Sequence, residues 1–124
     1  MLYKDMPKAT AERIIAALQE LHPEVTARIV DEDPALFKLG LIEDIPCQLE
    51  LGLTQEEAER LYDEIISMEI DAYNYTDKDL RDPVKRRQQK EYEHRYLRFA
   101  FLEPYLFNIM KSSSDEIDIG KIEW

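Results

Sequence analysis

Residues 53–74 read LTQEEAERLYDEIISMEIDAYN, and this stretch decides the fold. Thr54 stands three residues before Glu57. At that spacing a threonine hydroxyl accepts from the third helical N–H while the glutamate reaches back to the cap N–H. Leu53 before the cap and Ala58 after it have the spacing of a hydrophobic staple. From there Ala58, Leu61, Ile65, Met68 and Ala72 recur every three or four residues, which is one face of an α-helix. Tyr62, Ile66, Ile70 and Tyr73 widen the stripe beyond what a single neighbour covers. The stretch therefore predicts a helix to about Asn74 that packs on more than one partner.

Downstream, residues 76–82 form a polar loop, and Asp82-Pro83 opens a third long helix with aspartate as cap and proline at the first position. Gln88, Tyr92, Tyr96, Phe99, Leu102 and Leu106 line one side of it; Leu97, Phe101 and Tyr105 line another. Pro104 must kink or break this helix near Glu103, leaving a short last helix that ends near Lys111. Upstream, Ala11, Ile14, Leu18 and Leu21 mark a first helix over 8–22, with Asp5 or Thr10 as cap and His22-Pro23 as its stop.

Between them, Pro23, Pro34, Gly40, Pro46 and Gly52 divide 24–52 into short pieces. Val25 to Val30 reads as a helical turn or a short strand, and Pro34 to Leu39 as a short helix stopped by Gly40. Ile45, Cys47, Leu49, Leu51 and Leu53 alternate as a strand does. After Ser112-Ser113-Ser114 the tail alternates weakly through Ile117, Ile119, Ile122 and Trp124. It reads as an edge strand on 45–51 or as a free peptide. The expected fold class is thus mainly α: a small helical domain over 1–111, built on an antiparallel hairpin of 55–74 and 83–102. An acidic tail over 112–124 follows, with a minor two-stranded β element (45–51 with 117–124) as one of its two readings.

Composition agrees with this class. The chain has 124 residues, a length that fits one domain and buries enough surface to fold without a staple. Hydrophobic residues make up 44%, against wholesale disorder, and only three glycines interrupt a sequence rich in helix formers. A single cysteine, Cys47, permits no intrachain disulfide. The first residues lack the apolar run of a signal peptide, and the densest apolar stretch, Tyr96 to Met110, is too short to span a bilayer. A cytoplasmic protein without membrane association is expected.

The net charge is −11, unevenly spread: −12 over 1–82, +4 over 83–111 and −3 over 112–124. Such a surface repels nucleic acid and anionic membrane and favours basic partners.

Four motifs invite chemistry. Glu91 and His94 have the Glu-x-x-His spacing of di-metal bundles, but the second such pair is missing, and the helical wheel turns His94 away from Tyr92, Tyr96 and Phe99. Asp31-Glu32-Asp33 lacks the glycine and distal glutamate of a calcium loop. Lys85-Arg86-Arg87-Gln88-Gln89-Lys90, followed by aromatic residues, mixes cations and rings as nucleic-acid binders do, yet the acidic 55–74 helix is its natural counterpart. Glu69 falls inside the apolar arc of its helix, where a carboxylate must be hydrogen-bonded, paired or protonated. In an antiparallel hairpin it lies level with Gln88 and within a turn of Tyr92, so Glu69, Gln88 and Tyr92 are expected as a buried polar group. No nucleophile elbow, glycine-rich phosphate loop or Cys–His pair is present in the sequence, and it calls for no metal or other cofactor and no catalytic residue.

The sequence therefore reads as a non-enzymatic protein-binding module, an adaptor or inhibitor. It would meet a basic protein surface through Glu56, Glu59, Asp63, Glu64 and Asp71. A specific form of that reading is a nucleic-acid mimic of the kind phages and mobile elements make. The alternative is a self-associating structural protein, a homodimer joined through Leu97, Phe101 and Tyr105. A carboxylate-based metal protein or enzyme stands behind both.

Overall fold

The structure, a computed structural model, describes residues 2–32, 46–112 and 116–118. In chain order its elements are β1 (Leu2–Pro7), α1 (Lys8–Leu21), β2 (Ala27–Glu32), β3 (Pro46–Leu51), α2 (Gln55–Tyr73), α3 (Pro83–Phe99), α4 (Glu103–Lys111) and β4 (Glu116–Asp118). Two 3-10 turns, Asp79–Arg81 and Ala100–Leu102, precede α3 and α4. The protein is mainly α, with α2 and α3 packed against each other and a small sheet in the order β2-β3-β1-β4. β3 is antiparallel to both β2 and β1, while β4 runs parallel to β1.

The helices begin and end where the sequence places its signals. Thr54 caps α2 with the reciprocal box: its hydroxyl accepts from the Glu57 N–H, and Glu57 accepts from the Thr54 N–H. Ala58, Leu61, Ile65, Met68 and Ala72 are all buried. Asp82 caps α3 through the Val84 N–H at 2.9 Å, with Pro83 opening the helix. Pro104 breaks the long apolar segment as expected, through the 3-10 turn and a new start at Glu103.

The sheet is larger than the sequence implies. β1 falls where only a helix start is expected, and α1 begins at Lys8 behind Pro7, with neither Asp5 nor Thr10 as its cap. The physical reason is a register shift between Tyr3 and Met6. Such a shift changes the parity of the strand, so Tyr3 and Met6 are both fully buried although three residues apart, and no two-residue alternation is visible. Tyr3 lies opposite Leu49 and Met6 opposite Cys47. A second shift, between Ile29 and Asp31, does the same to β2. β3 is regular, with Cys47, Leu49 and Leu51 buried on one face as the alternation predicts. The tail strand β4 pairs with β1, not with 45–51, because β3 already has β1 and β2 as its neighbours. The expected short helix over 34–39 and the tail residues Ile119, Ile122 and Trp124 lie outside the described residues.

One core joins these parts. Tyr3, Met6 and Leu49 from the sheet meet Ile14 and Leu18 of α1, Leu61 and Ile65 of α2, and Leu106 and Ile109 of α4. Tyr3 donates its hydroxyl to the Tyr105 carbonyl, and the two rings meet edge to face, 5.8 Å apart. This contact ties the first strand to the last helix. Of α3, only Phe99 is buried, so most of this helix stands outside the core against α2.

Candidate functional site

The hairpin of α2 and α3 carries nearly every residue singled out from the sequence. Its helices differ in charge: α2 holds seven acidic residues and one basic, α3 six basic and two acidic. Opposite charges of this kind are expected to bind the pair together. Among the described residues, however, no ion pair joins the two helices; the pairs present are His22–Glu57, Arg28–Glu50, Lys85–Asp79 and Arg98–Glu20.

Glu56, Glu59, Asp63, Glu64 and Asp71 are all exposed. Arg86, Arg87, Lys90 and Arg95 of α3 are exposed as well. The cause is rotational. α3 meets α2 through Gln89, Glu93 and Tyr96: Tyr96 and Phe99 keep the inward place the stripe gives them, while Gln89 and Glu93 stand where Gln88 and Tyr92 are expected. At about 100° per residue, Gln89 and Glu93 flank Tyr96 on the wheel, so the seam lies to one side of the expected stripe. Gln89 donates to the Ala72 carbonyl at 3.0 Å and to Glu93 at 3.2 Å, and the Tyr96 ring stands edge-on to Tyr73 at 5.9 Å. With these polar and aromatic groups at the seam, the charges of both helices turn outward.

The same rotation corrects the expected buried polar group. Gln88 and Tyr92 are exposed, and Glu69 is only half-buried. Glu69 nonetheless finds the third helix, at Tyr96. The Tyr96 hydroxyl donates to Glu103 at 3.0 Å, across the break between α3 and α4, and Glu69 approaches the same hydroxyl. Burial first, then the Glu103 and Glu69 carboxylates, push this phenol well above the usual tyrosine range. A phenol held protonated between two carboxylates is a hydrogen-bond donor that fixes a joint. The cluster thereby clasps the hairpin to α4.

The expected dimer contact divides in three. Leu97 is 54% exposed, and Phe101 is half-buried beneath the Arg13 guanidinium, 3.9 Å from its ring centre. Tyr105 is buried against Tyr3 and is not available to a second chain. Its position on the wheel could not reveal this, because its cover comes from the unforeseen strand β1. Glu91 and His94 are both exposed, and among the described residues no three His, Cys, Asp or Glu side chains gather where a metal ion could sit. Cys47 is buried in the sheet.

Sequence reasoning missed one local device. Thr76 and Asp79 exchange backbone and side-chain hydrogen bonds at 3.1 and 3.2 Å, and Asp79 also accepts from Lys85 at 3.1 Å. These bonds, the Thr76 N–H first, hold the Asp79 carboxyl below its ordinary value. The signal was available, since Thr76-x-x-Asp79 repeats the Thr-x-x-acid pattern of Thr54 and Glu57. The loop between the helices is thus a built turn, which sets the spacing of the acidic and basic surfaces. No described helix is long and apolar enough to cross a membrane. Compared with protein-family models, curated proteins and solved structures, the chain matches none.

Proposed function

We propose that this chain is a protein-binding module that receives a basic partner surface on the exposed acidic face of α2, without turnover of its own. The observation that carries the reading is the set of five exposed carboxylates, Glu56, Glu59, Asp63, Glu64 and Asp71. All five lack an ion-pair partner among the described residues although a strongly basic helix packs alongside. A fold that used these charges for its own cohesion would turn them inward; here a fixed negative field meets solvent. Such a field speeds encounter with cations and selects against nucleic acid.

Glu64 and Asp71 fall on the edge of α2 away from α3, at about 100° per residue, and so lie farthest from its basic residues. The test is affinity capture at low ionic strength, comparing the wild-type chain with a Glu64→Lys, Asp71→Lys variant that keeps its helicity. A basic protein retained by the first and lost by the second is the expected result. Equal capture by both overturns the reading, as does capture of nucleic acid through Lys85 to Lys90.

A further inference from the structure

We infer that the flank of the α2–α3 hairpin turned away from the core is the seat of a second copy of this chain, packed antiparallel about a two-fold axis. The hairpin has two flanks. On the inner one Phe99 is buried; on the outer one Ile70 is 58% exposed, Tyr73 53% and Leu97 54%, with Ile66 half-buried beside them. Ile66, Ile70 and Tyr73, with Glu69 and Asn74, line a shallow groove of about 370 Å³. Apolar side chains this large, gathered on one flank of a small domain, mark an interaction surface.

The charges around the groove identify the occupant. On the helical wheel Glu59 and Asp63 border the outer flank of α2, and Arg86 and Lys90 border that of α3. None of the four takes part in an ion pair among the described residues. They lie at opposite ends of the groove. With Ala72 level with Gln89, and about 1.5 Å of rise per residue, Asp63 sits some 7 Å to one side of the groove's centre at Met68. Lys90 and Arg86 sit roughly 5–10 Å to the other side by the same rise. A two-fold axis across the hairpin exchanges those ends. It sets Ile66 of each copy against Ile70 of the other, and it brings Glu59 and Asp63 level with Arg86 and Lys90 of the other copy. A two-fold along the helices would instead set Asp63 level with Arg98, which Glu20 already holds, and Glu59 beside Glu103 of the other copy. The patch is therefore self-complementary in only one of the two orientations, as an isologous interface requires. This contact takes Glu59 and Asp63 from the acidic face and leaves Glu64 and Asp71 outside, so the dimer and the partner-binding edge are tested by different variants and their failures are distinguishable.

Sedimentation equilibrium on the full chain tests the inference. A reversible dimer at micromolar to tens-of-micromolar concentration is expected, on the order of a weak isologous pair. Ile70→Asp and, as a second variant, Leu97→Asp should each yield monomer with unchanged circular dichroism. Asp63→Lys and Lys90→Asp should each weaken the dimer about tenfold or more, and the two together should restore it to within about threefold, the signature of a charge pair across the interface. A wild-type chain that stays monomeric to millimolar concentration overturns the inference. So does a dimer that survives both apolar variants, or single charge reversals that change nothing.

Discussion

At the scale of the residue, two tyrosines do what a charged core would otherwise have to do. Tyr3 is fully buried and satisfied by the Tyr105 carbonyl, while Tyr96 is half-buried and shared by two carboxylates. Removing only the hydroxyl separates hydrogen bonding from packing. Tyr3→Phe and Tyr96→Phe should each cost about 0.5–1.5 kcal/mol in urea unfolding, the usual net value of one such bond. Tyr3→Ala should cost about 3–5 kcal/mol through the cavity it leaves. Because Glu69 is half-buried and Glu103 already holds the Tyr96 hydroxyl, Glu69→Ala should change stability by less than ~1 kcal/mol; a larger loss would show that Glu69 is the main partner. Burial raises both phenols above the ordinary tyrosine value of 10.0, with the sharing carboxylates adding to the shift at Tyr96. The folded state then holds protons that the unfolded chain releases. The stability from this source is complete below that value and is lost as the pH rises past it, so unfolding midpoints should fall in alkali, and less so in the two phenylalanine variants.

At the scale of the element, the helices were legible and half of the sheet was not. Thr54 with Glu57, Asp82 with Pro83, and Pro104 each act within a few residues, so they can be read without knowing the fold. β3 was legible because its alternation is regular, and Pro46 and Gly52 bound it. β1 was hidden by its register shift, and the shift in β2 left Val25 to Val30 readable as either a helical turn or the short strand it is, because both shifts break the period that marks a strand. Tyr96, Phe99, Leu102 and Leu106 face inward as their spacing implies, but Gln88 and Tyr92 were misplaced because Gln89 and Glu93 make the polar contacts at the seam. Of the candidate surface, the five acidic residues were legible as exposed because they lie on or beside the polar arc of α2; the burial of Tyr105 was not, since it depends on β1. The caps also carry a pH dependence. Hydrogen bonds from the backbone and hydroxyl of Thr54 hold Glu57 below its ordinary value of 4.5, and those of Thr76 with Lys85 hold Asp79 below 3.8. Carboxyls lowered on folding contribute stability above those values and lose it as the pH falls through the lower folded ones. Thr54→Ala should cost about 0.5–2 kcal/mol at neutral pH. It should also flatten the acid limb of the stability profile; an unchanged acid limb would mean that the box does not set the shift at Glu57.

At the scale of the whole molecule, the hairpin projects opposite charges in different directions from one small body. The acidic half of the chain presents carboxylates along α2, while the basic residues of α3 face outward and, apart from Lys85 with Asp79 and Arg98 with Glu20, form no ion pair with that half among the described residues. Each exposed intramolecular pair would have contributed only ~0.2–1 kcal/mol, so leaving them unmade costs the fold little and leaves the field of α2 open to solvent. Long-range attraction of this kind acts before contact, and therefore in the association rate more than in dissociation. With a captured basic partner, the measurement is the association rate constant of the wild-type chain and of the Glu64→Lys, Asp71→Lys variant between low salt and about 1 M salt, where the screening length shrinks to ~3 Å. Binding through the acidic face of α2 predicts a wild-type rate that falls steeply with salt, and a variant that is slow at low salt and converges on the wild type at high salt. Equal rates for the two chains at low salt, or a wild-type rate that does not respond to salt, would contradict it.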